Sequence, residues 1–284
     1  MEVMQKRRIG DVEVSAIGLG GMPVSIQGRP DRAQGIETIH AALDAGVTFI
    51  DTADAYSLDD SDFGHNEELI AEALRGSSAA DEVFVATKGG HTRVPGGGWA
   101  LDGRPEYLRR AVDASLRRLG VDQIFLYQFH RPDPKTPIAE SVGTLKELLD
   151  NGKIRYAGVS NFNPDEIVQA NEILGGRLTA VQNQFSPSFR SSEPELELCD
   201  KLGIAFLPWS PFGGISKAGA LSGPFKEVGD AHGVSPHQVC LAWMLAKSEV
   251  VVPIPGASRP ASIRDSAQAT HLELTREELT RLDG

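Results

Sequence analysis

The chain reads as an α/β protein, a single (β/α)8 TIM barrel spanning residues 1–284 with an N-terminal hairpin at the barrel bottom. Three observations predict this. Eight short apolar runs alternate with longer amphipathic stretches, the pattern of parallel strands joined by helical crossovers. The turn after the first run, Gly18-Leu19-Gly20-Gly21-Met22, lacks the glycine spacing that a doubly wound nucleotide-binding sheet places there. No fixed-period repeat and no Pro/Gly-rich hinge divides the chain, and one barrel of this length is common.

Each element follows from local chemistry. The apolar runs are residues 15–19, 47–51, 83–88, 124–130, 154–160, 178–182, 204–209 and 250–255. Residues 7–10 and 11–16 read as a hairpin turned on Gly10-Asp11. Over residues 106–119, Leu108, Val112, Leu116 and Leu119 share one helical face, and Pro105 suits the first turn. Asn163-Pro164-Asp165-Glu166 combines an N-cap, a proline at N1 and a capping-box glutamate. Ser235-Pro236-His237-Gln238 repeats that logic before residues 239–246, and Thr275-Arg276-Glu277-Glu278 opens a short final helix. Further helices are expected over residues 33–45, 67–74, 138–151, 194–202 and 260–269. Two glycine-rich stretches, 89–103 and 211–234, read as long loops following strand ends, on the face where barrels keep their active sites. Unstructured loops of this length usually serve binding or act as lids.

Charge and cysteine content narrow the function. The 28 Lys and Arg against 39 Asp and Glu give a net charge of −11, which argues against a nucleic-acid partner. A nucleotide cofactor needs only a local basic site and is not affected by this. Cys199 and Cys240 form no CxxC or disulfide framework, consistent with a reducing compartment. The first ten residues carry no apolar signal core, and no apolar run is long enough to span a membrane. A cytoplasmic location is the resulting expectation. Oligomeric state is not readable.

The strand ends carry the chemistry. The second run ends at Asp51, followed by Tyr56; the third ends at Lys88; the fourth ends at His130. Taken singly, these are a turn-capping aspartate, a snorkelling lysine, a hydrogen-bonded histidine and a packing tyrosine. A closed barrel brings them to one mouth. There, an ammonium beside Tyr56 favours the phenolate and is expected to lower its pKa from about 10 towards neutrality. His130 can orient a substrate oxygen. Such a site suits carbonyl reduction by an external hydride donor.

Longer motifs surround these residues: the segment from Gly46 to Tyr56, Ala86-Thr87-Lys88, Leu126 to Arg131, Gly152 to Phe162, Val181 to Gln184, and Pro208-Trp209-Ser210-Pro211. Together they resemble the aldo-keto reductase family, from about Arg8 through the final helix. The resemblance implies a catalytic tetrad. Tyr56 is the general acid in reduction and the general base in oxidation, Lys88 tunes it, Asp51 pairs with Lys88, and His130 positions the carbonyl. It also implies NADPH (NADP+) as cofactor in preference to NADH, bound without a Rossmann fold.

By the same resemblance, Ser160, Asn161 and Gln182 hydrogen-bond the carboxamide and Trp209 stacks on the nicotinamide. Ser210, Phe212 and Gly213 follow the pyrophosphate, while Gly21 and Met22, with Gly20, line the nicotinamide side. Gly256, Ser258, Arg259 and Arg264 match the 2'-phosphate end. Asp265-Ser266 stands where relatives commonly have Glu-Asn for the adenosine, which implies weaker adenine contacts.

The implied partner is a small-molecule carbonyl or alcohol. Its pocket is expected from residues 22–29, 57–64, 89–103 and 211–223, with Trp99 and Met22 as apolar walls. Phe185 and Phe189 follow the sixth run without a clear role. Many relatives extend past the last helix with a substrate-covering loop; the end at Gly284 implies a more open pocket, or one closed chiefly by residues 89–103. An alternative reading is a cofactor-sensing regulatory protein resembling potassium-channel beta subunits, which share the family barrel. A metal-dependent barrel hydrolase fits less well, because the strand ends offer no convincing ligand set and Lys88 opposes a cation nearby.

Overall fold

The computed structural model describes residues 4–75, 77–214 and 221–284. The chain opens with an antiparallel hairpin of β1 (Lys6–Ile9) and β2 (Val12–Ser15). Gly10 takes φ +62° at its turn, the left-handed conformation that tight hairpins need. The Tyr156 ring lies directly against it, so that a Cβ at Gly10 would sit 2.5 Å from the ring. Tyr156 and Arg155 both hydrogen-bond the Asp11 carboxylate.

The remaining strands, in chain order, are β3 (Leu19–Gly20), β4 (Phe49–Asp51), β5 (Phe84–Gly89), β6 (His91–Arg93), β7 (Trp99–Leu101), β8 (Ile124–Phe129), β9 (Ile154–Ser160), β10 (Leu178–Gln182) and β11 (Ala205–Phe206). β3, β4, β5, β8, β9, β10 and β11 form one parallel sheet in that order. Because Tyr156 and Arg155 begin β9, the hairpin covers the N-terminal, bottom end of the sheet.

Residues 250–256 close the sheet into a barrel. Val252 N–H donates to Phe206 O at 2.9 Å on one side, while Gly18 N–H and Gly20 N–H donate to Pro253 O and Pro255 O at 2.9 and 3.0 Å on the other. The expected eighth strand is therefore present as isolated bridges, Phe206 to Val251 and Gly20 to Gly256. The reason is local: Pro253 and Pro255 have no N–H to return to the first strand, so the ladder is one-sided. The first strand also starts later than expected. Residues 16–18 link the hairpin to Leu19, and the Ser15 hydroxyl donates to Ile17 O at 2.7 Å.

The helices are α1 (Arg32–Asp44), α2 (His65–Arg75), α3 (Pro105–Leu119), α4 (Ile138–Asp150), α5 (Pro164–Ile173), α6 (Glu193–Leu202), α7 (Pro224–His232), α8 (Pro236–Leu245), α9 (Pro260–Gln268) and α10 (Arg276–Asp283). The capping motifs form as read. Asn163 and Glu166 cap α5 reciprocally at 3.0 and 2.8 Å. The Ser235 hydroxyl accepts from Gln238 N–H at 3.1 Å, and Thr275 and Glu278 complete a box on α10.

Both glycine-rich stretches differ from the expectation of open loops. β6 and β7 form an antiparallel hairpin inside 89–103, with His91 opposite Leu101. Within 211–234, α7 is a helix that buries Phe225 and Val228 and ends at Gly233. Residues 215–220 of that stretch lie outside the described residues. No helix among the described residues is long and apolar enough to cross a membrane.

Alternation sets the barrel interior. Phe49, Ala86, Leu126, Ala180, Ala205 and Val252 pack inside it with Ile9 and Val14 of the hairpin. The intervening Ile50, Tyr127, Val181 and Phe206 face outward into the helix layer. Successive side chains on a strand alternate faces. The next inward layer, two residues further on, is therefore Asp51, Lys88, Gln128 and Gln182, all buried.

Candidate active site

This polar layer is one hydrogen-bonded unit. Lys88, 0% exposed, donates to Asp51 Oδ2 at 2.6 Å, to Thr52 O at 2.8 Å and to the Tyr56 hydroxyl oxygen at 3.1 Å. The other oxygen of Asp51 accepts from Gln182 Nε2 at 2.8 Å and Gln128 Nε2 at 3.2 Å. A buried ammonium is tolerated only when paired in this way. Room for the Gln128 side chain comes from Gly158, where a Cβ would stand 2.9 Å from Gln128 Cγ. Gln128 is not among the residues whose role the family resemblance implies. A polar residue inside the apolar run 124–130, two positions before His130, is the signal that marks it.

His130 and Tyr56 meet edge to face, with ring centroids 5.8 Å apart. His91, from β6, stacks on His130 at 4.2 Å. Trp99, from β7, follows at 5.5 Å from His91, with the Arg93 guanidinium 3.9 Å from the Trp99 ring centroid. A cavity of about 320 Å³ is lined by these rings together with Met22, Ser160, Asn161, Gln182, Trp209, Ser210, Phe212 and Gly256. Of the four residues expected to form a tetrad, Asp51, Tyr56 and His130 line this cavity, and Lys88 is fully buried behind them, bonded to Asp51 and Tyr56.

The electrostatics correct one expectation. The Tyr56 pKa is raised, not lowered: burial outweighs the opposing pull of the Lys88 charge, and Asp51 adds to the rise. Tyr56 is consequently a protonated phenol at neutral pH. Burial alone would depress the Lys88 ammonium, but Asp51 and Tyr56 lift it above its ordinary value. Burial, then the neighbouring His91 and Lys88, hold His130 well below the usual histidine range. Burial likewise brings His91 down to about 4. Both imidazoles are neutral at pH 7.

The residues expected to hold a cofactor divide into three groups. Ser160, Asn161 and Gln182 stand at adjoining strand ends. Ser160 Oγ donates to Gln182 O at 2.7 Å, and Asn161 Nδ2 donates to His130 O at 3.0 Å. Asn161 and Ser210 are the only non-glycine described residues with positive φ, at 62° and 52°, backbone strain of the kind that gathers at functional sites. Trp209 is half-buried, and its Nε1 is buried without a partner among the described residues.

Two of the glycines sit behind the cavity wall. Gly21 donates its N–H to Asp51 O at 2.8 Å, and a Cβ there would meet Asn66 Oδ1 at 2.5 Å. Gly213 N–H closes a turn on Ser210 O at 2.9 Å, and it is the next residue, Gly214, that reaches the cavity.

Ser258, Arg259, Arg264 and Asp265 lie at and within the start of α9, outside the cavity lining. Arg259 is the N-cap of α9 and supplies no side-chain cap. Its guanidinium and that of Arg264 are exposed and form no hydrogen bond or ion pair with a described residue. Asp265 is already occupied, accepting from Ser235 Oγ at 2.6 Å and Gln238 Nε2 at 2.7 Å. Phe185 stacks on Trp243 in the core at 5.6 Å, away from the site. Among the described residues, no group of three or more His, Cys, Asp or Glu could hold a metal ion.

A parallel barrel with a buried Asp–Lys–Tyr chain and a histidine at its C-terminal mouth defines a class of oxidoreductase. The model of the aldo/keto reductase family matches residues 16–284, and the chain belongs to that family. It is 37% identical over 281 residues to a 6-dehydroglucose reductase of Novosphingobium aromaticivorans, covering 94% of this chain and 90% of that one. It is 31% identical over 305 residues to the aldo-keto reductase yakc [NADP(+)] of Schizosaccharomyces pombe, covering 95% and 87%. Among solved structures, a thermostable aldo-keto reductase in complex with the inhibitor epalrestat superposes with TM-score 0.83 at 31% identity, covering 99% of each chain.

Proposed function

We propose that the protein is an NADP(H)-dependent carbonyl reductase that also runs in reverse as an alcohol dehydrogenase, with Tyr56 as the general acid in reduction and the general base in oxidation. The observation that carries this reading is the buried Lys88 ammonium bridging Asp51 at 2.6 Å and Tyr56 at 3.1 Å, both of which line the cavity. Reduced nicotinamide, when bound, supplies the hydride to the carbonyl carbon. The chain does the rest. Tyr56 holds the proton that the nascent alkoxide takes, and Lys88 stabilises the phenolate left behind. Asp51 fixes Lys88, with Gln128 and Gln182 fixing Asp51. Neutral His130 donates to the substrate oxygen and orients it towards Tyr56.

The cofactor fits the residues available. Trp209, half-buried with an indole nitrogen that has no partner among the described residues, offers a ring face to the nicotinamide; Ser160, Asn161 and Gln182 bind its carboxamide. Ser210 and Phe212 follow the pyrophosphate, while Ser258, Arg259, Arg264 and the α9 N-terminus receive the 2'-phosphate. Exposed guanidiniums without ion-pair partners among the described residues support NADPH over NADH, as does the cofactor printed in the name of the fission-yeast relative. The test is consumption of NADPH, beside NADH, across a panel of aldehydes and ketones. NADPH-favoured turnover of carbonyls is the expected result; cofactor binding without turnover of any carbonyl would overturn it.

A further inference from the structure

Two histidines, not one, line the substrate half of the cavity. His91 and His130 stack at 4.2 Å with an interplanar angle of 23°, and both rings line the cavity. Neither imidazole hydrogen-bonds a described residue, and the Nδ1 atom of each is buried without a partner among them. Each Nδ1 is closed off from the cavity, whereas each Nε2, also unbonded to a described residue, is accessible and is the ring nitrogen that a ligand can meet. The stack continues a row of polar-tipped rings that starts at the proton donor, running from Tyr56 to His130 to His91 and on to Trp99.

We propose that His91 is a specificity-determining substrate residue that hydrogen-bonds a hydroxyl on the carbon next to the reacting carbonyl, so that the site favours α-hydroxy aldehydes and ketones. The inference rests on the carbonyl-reductase reading given above. A carbonyl oxygen held by His130 and Tyr56 places the adjacent carbon along the ring row, beside His91. Two oxygens on neighbouring carbons are spanned by two stacked rings. Two neutral imidazoles suit a hydroxyl, which can donate to one nitrogen and accept from another. Each neutral imidazole offers one donor and one acceptor. Of the nearby cations, Lys88 is paired with Asp51, Arg93 lies on Trp99 and donates to Leu58 O, and Arg131 borders the cavity with its side chain exposed.

Hydroxyacetone and butanone test this directly, since they differ only in a hydroxyl against a methyl on the carbon beside the ketone. The wild type is expected to favour hydroxyacetone in kcat/KM by about tenfold or more, the usual effect of one well-made hydrogen bond in a closed site. His91→Phe keeps an aromatic ring on His130 and removes both nitrogens; the preference should shrink to within about threefold. His91→Gln, which keeps a polar head, should retain more of the preference than the phenylalanine variant. Binding of NADPH by each variant checks that it folds.

A wild-type preference that survives in His91→Phe would overturn the assignment, as would a loss of activity shared equally by both ketones. Turnover of other carbonyls with no preference between these two, or with neither accepted, would overturn it while leaving the reductase reading intact. Absence of turnover with every carbonyl would remove that reading and this one together.

Discussion

The Lys88 ammonium lies 3.1 Å from the Tyr56 hydroxyl, yet the tyrosine pKa is raised. Burial of the phenol outweighs the adjacent positive charge. The reduction rate should therefore show no alkaline decline through neutrality, because the acid form of Tyr56 persists to above its ordinary value of 10.0. The oxidation rate, which needs the base form, should rise with pH over the same range. A kcat/KM profile for reduction measured from pH 6 to pH 10 checks this. A decline centred near pH 7 would mean that Lys88 prevails over burial.

Removing Asp51 leaves Lys88 as a buried cation held only by Thr52 O and the Tyr56 hydroxyl. Breaking a buried pair from one side costs about 3–5 kcal/mol. Asp51→Ala should lose stability of that order in urea unfolding and most of its turnover. Asp51→Asn retains an oxygen for Gln128 and Gln182 and should lose less. Equal stability of Asp51→Ala and wild type would contradict the account of the polar layer.

Neutral burial of His91 links stability to pH. In the unfolded chain the residue binds a proton as pH falls through 6.5; in the folded chain it does so only near 4, because burial and then the Arg131 and Lys88 charges oppose protonation. Its folded pKa is depressed, so the unfolded state binds more protons in that window and stability falls as pH falls. The loss from this group amounts to about 2 kcal/mol between pH 7 and pH 5. His130 acts in the same direction. Unfolding midpoints for wild type and His91→Phe at the two pH values should show a smaller decline in the variant.

Much of this site was legible in the sequence, for a physical reason. Asp51, Lys88 and His130 are polar residues ending apolar runs, and a barrel has one face on which strand ends meet. The capping boxes at Asn163 and Thr275 were legible because their partners lie three residues away. What the sequence did not disclose depends on tertiary surroundings. The direction of the Tyr56 shift turns on burial against charge. The wall made by His91 and Trp99 depends on a hairpin folding within a glycine-rich stretch. Helix α7 lay in another such stretch, where Gly213, Gly214, Gly223 and Gly233 obscured the apolar spacing of Phe225 and Val228. The one-sided eighth strand follows from Pro253 and Pro255, whose effect on pairing depends on which neighbour each faces.

The two ends of the cofactor make separable predictions. Trp209→Ala should weaken NADPH and NADH alike, by about tenfold or more, because ring stacking contributes about 1–3 kcal/mol. Arg259→Ala and Arg264→Ala should weaken NADPH by about tenfold through lost charge-assisted bonds while changing NADH by less than about threefold. Fluorescence titration of each cofactor into each variant distinguishes them. Equal losses for both cofactors in the arginine variants would remove these residues from 2'-phosphate recognition.

Tyr56→Phe asks whether Tyr56 transfers the proton. The substitution removes one oxygen from a buried ring and leaves the Lys88–Asp51 pair in place. The measurement is kcat for NADPH-dependent reduction of the best carbonyl found, beside the NADPH dissociation constant. The expected result is a fall in kcat of about 10²–10⁴-fold, the usual contribution of a positioned proton donor, with the dissociation constant held within about threefold. A kcat near that of the wild type would contradict it.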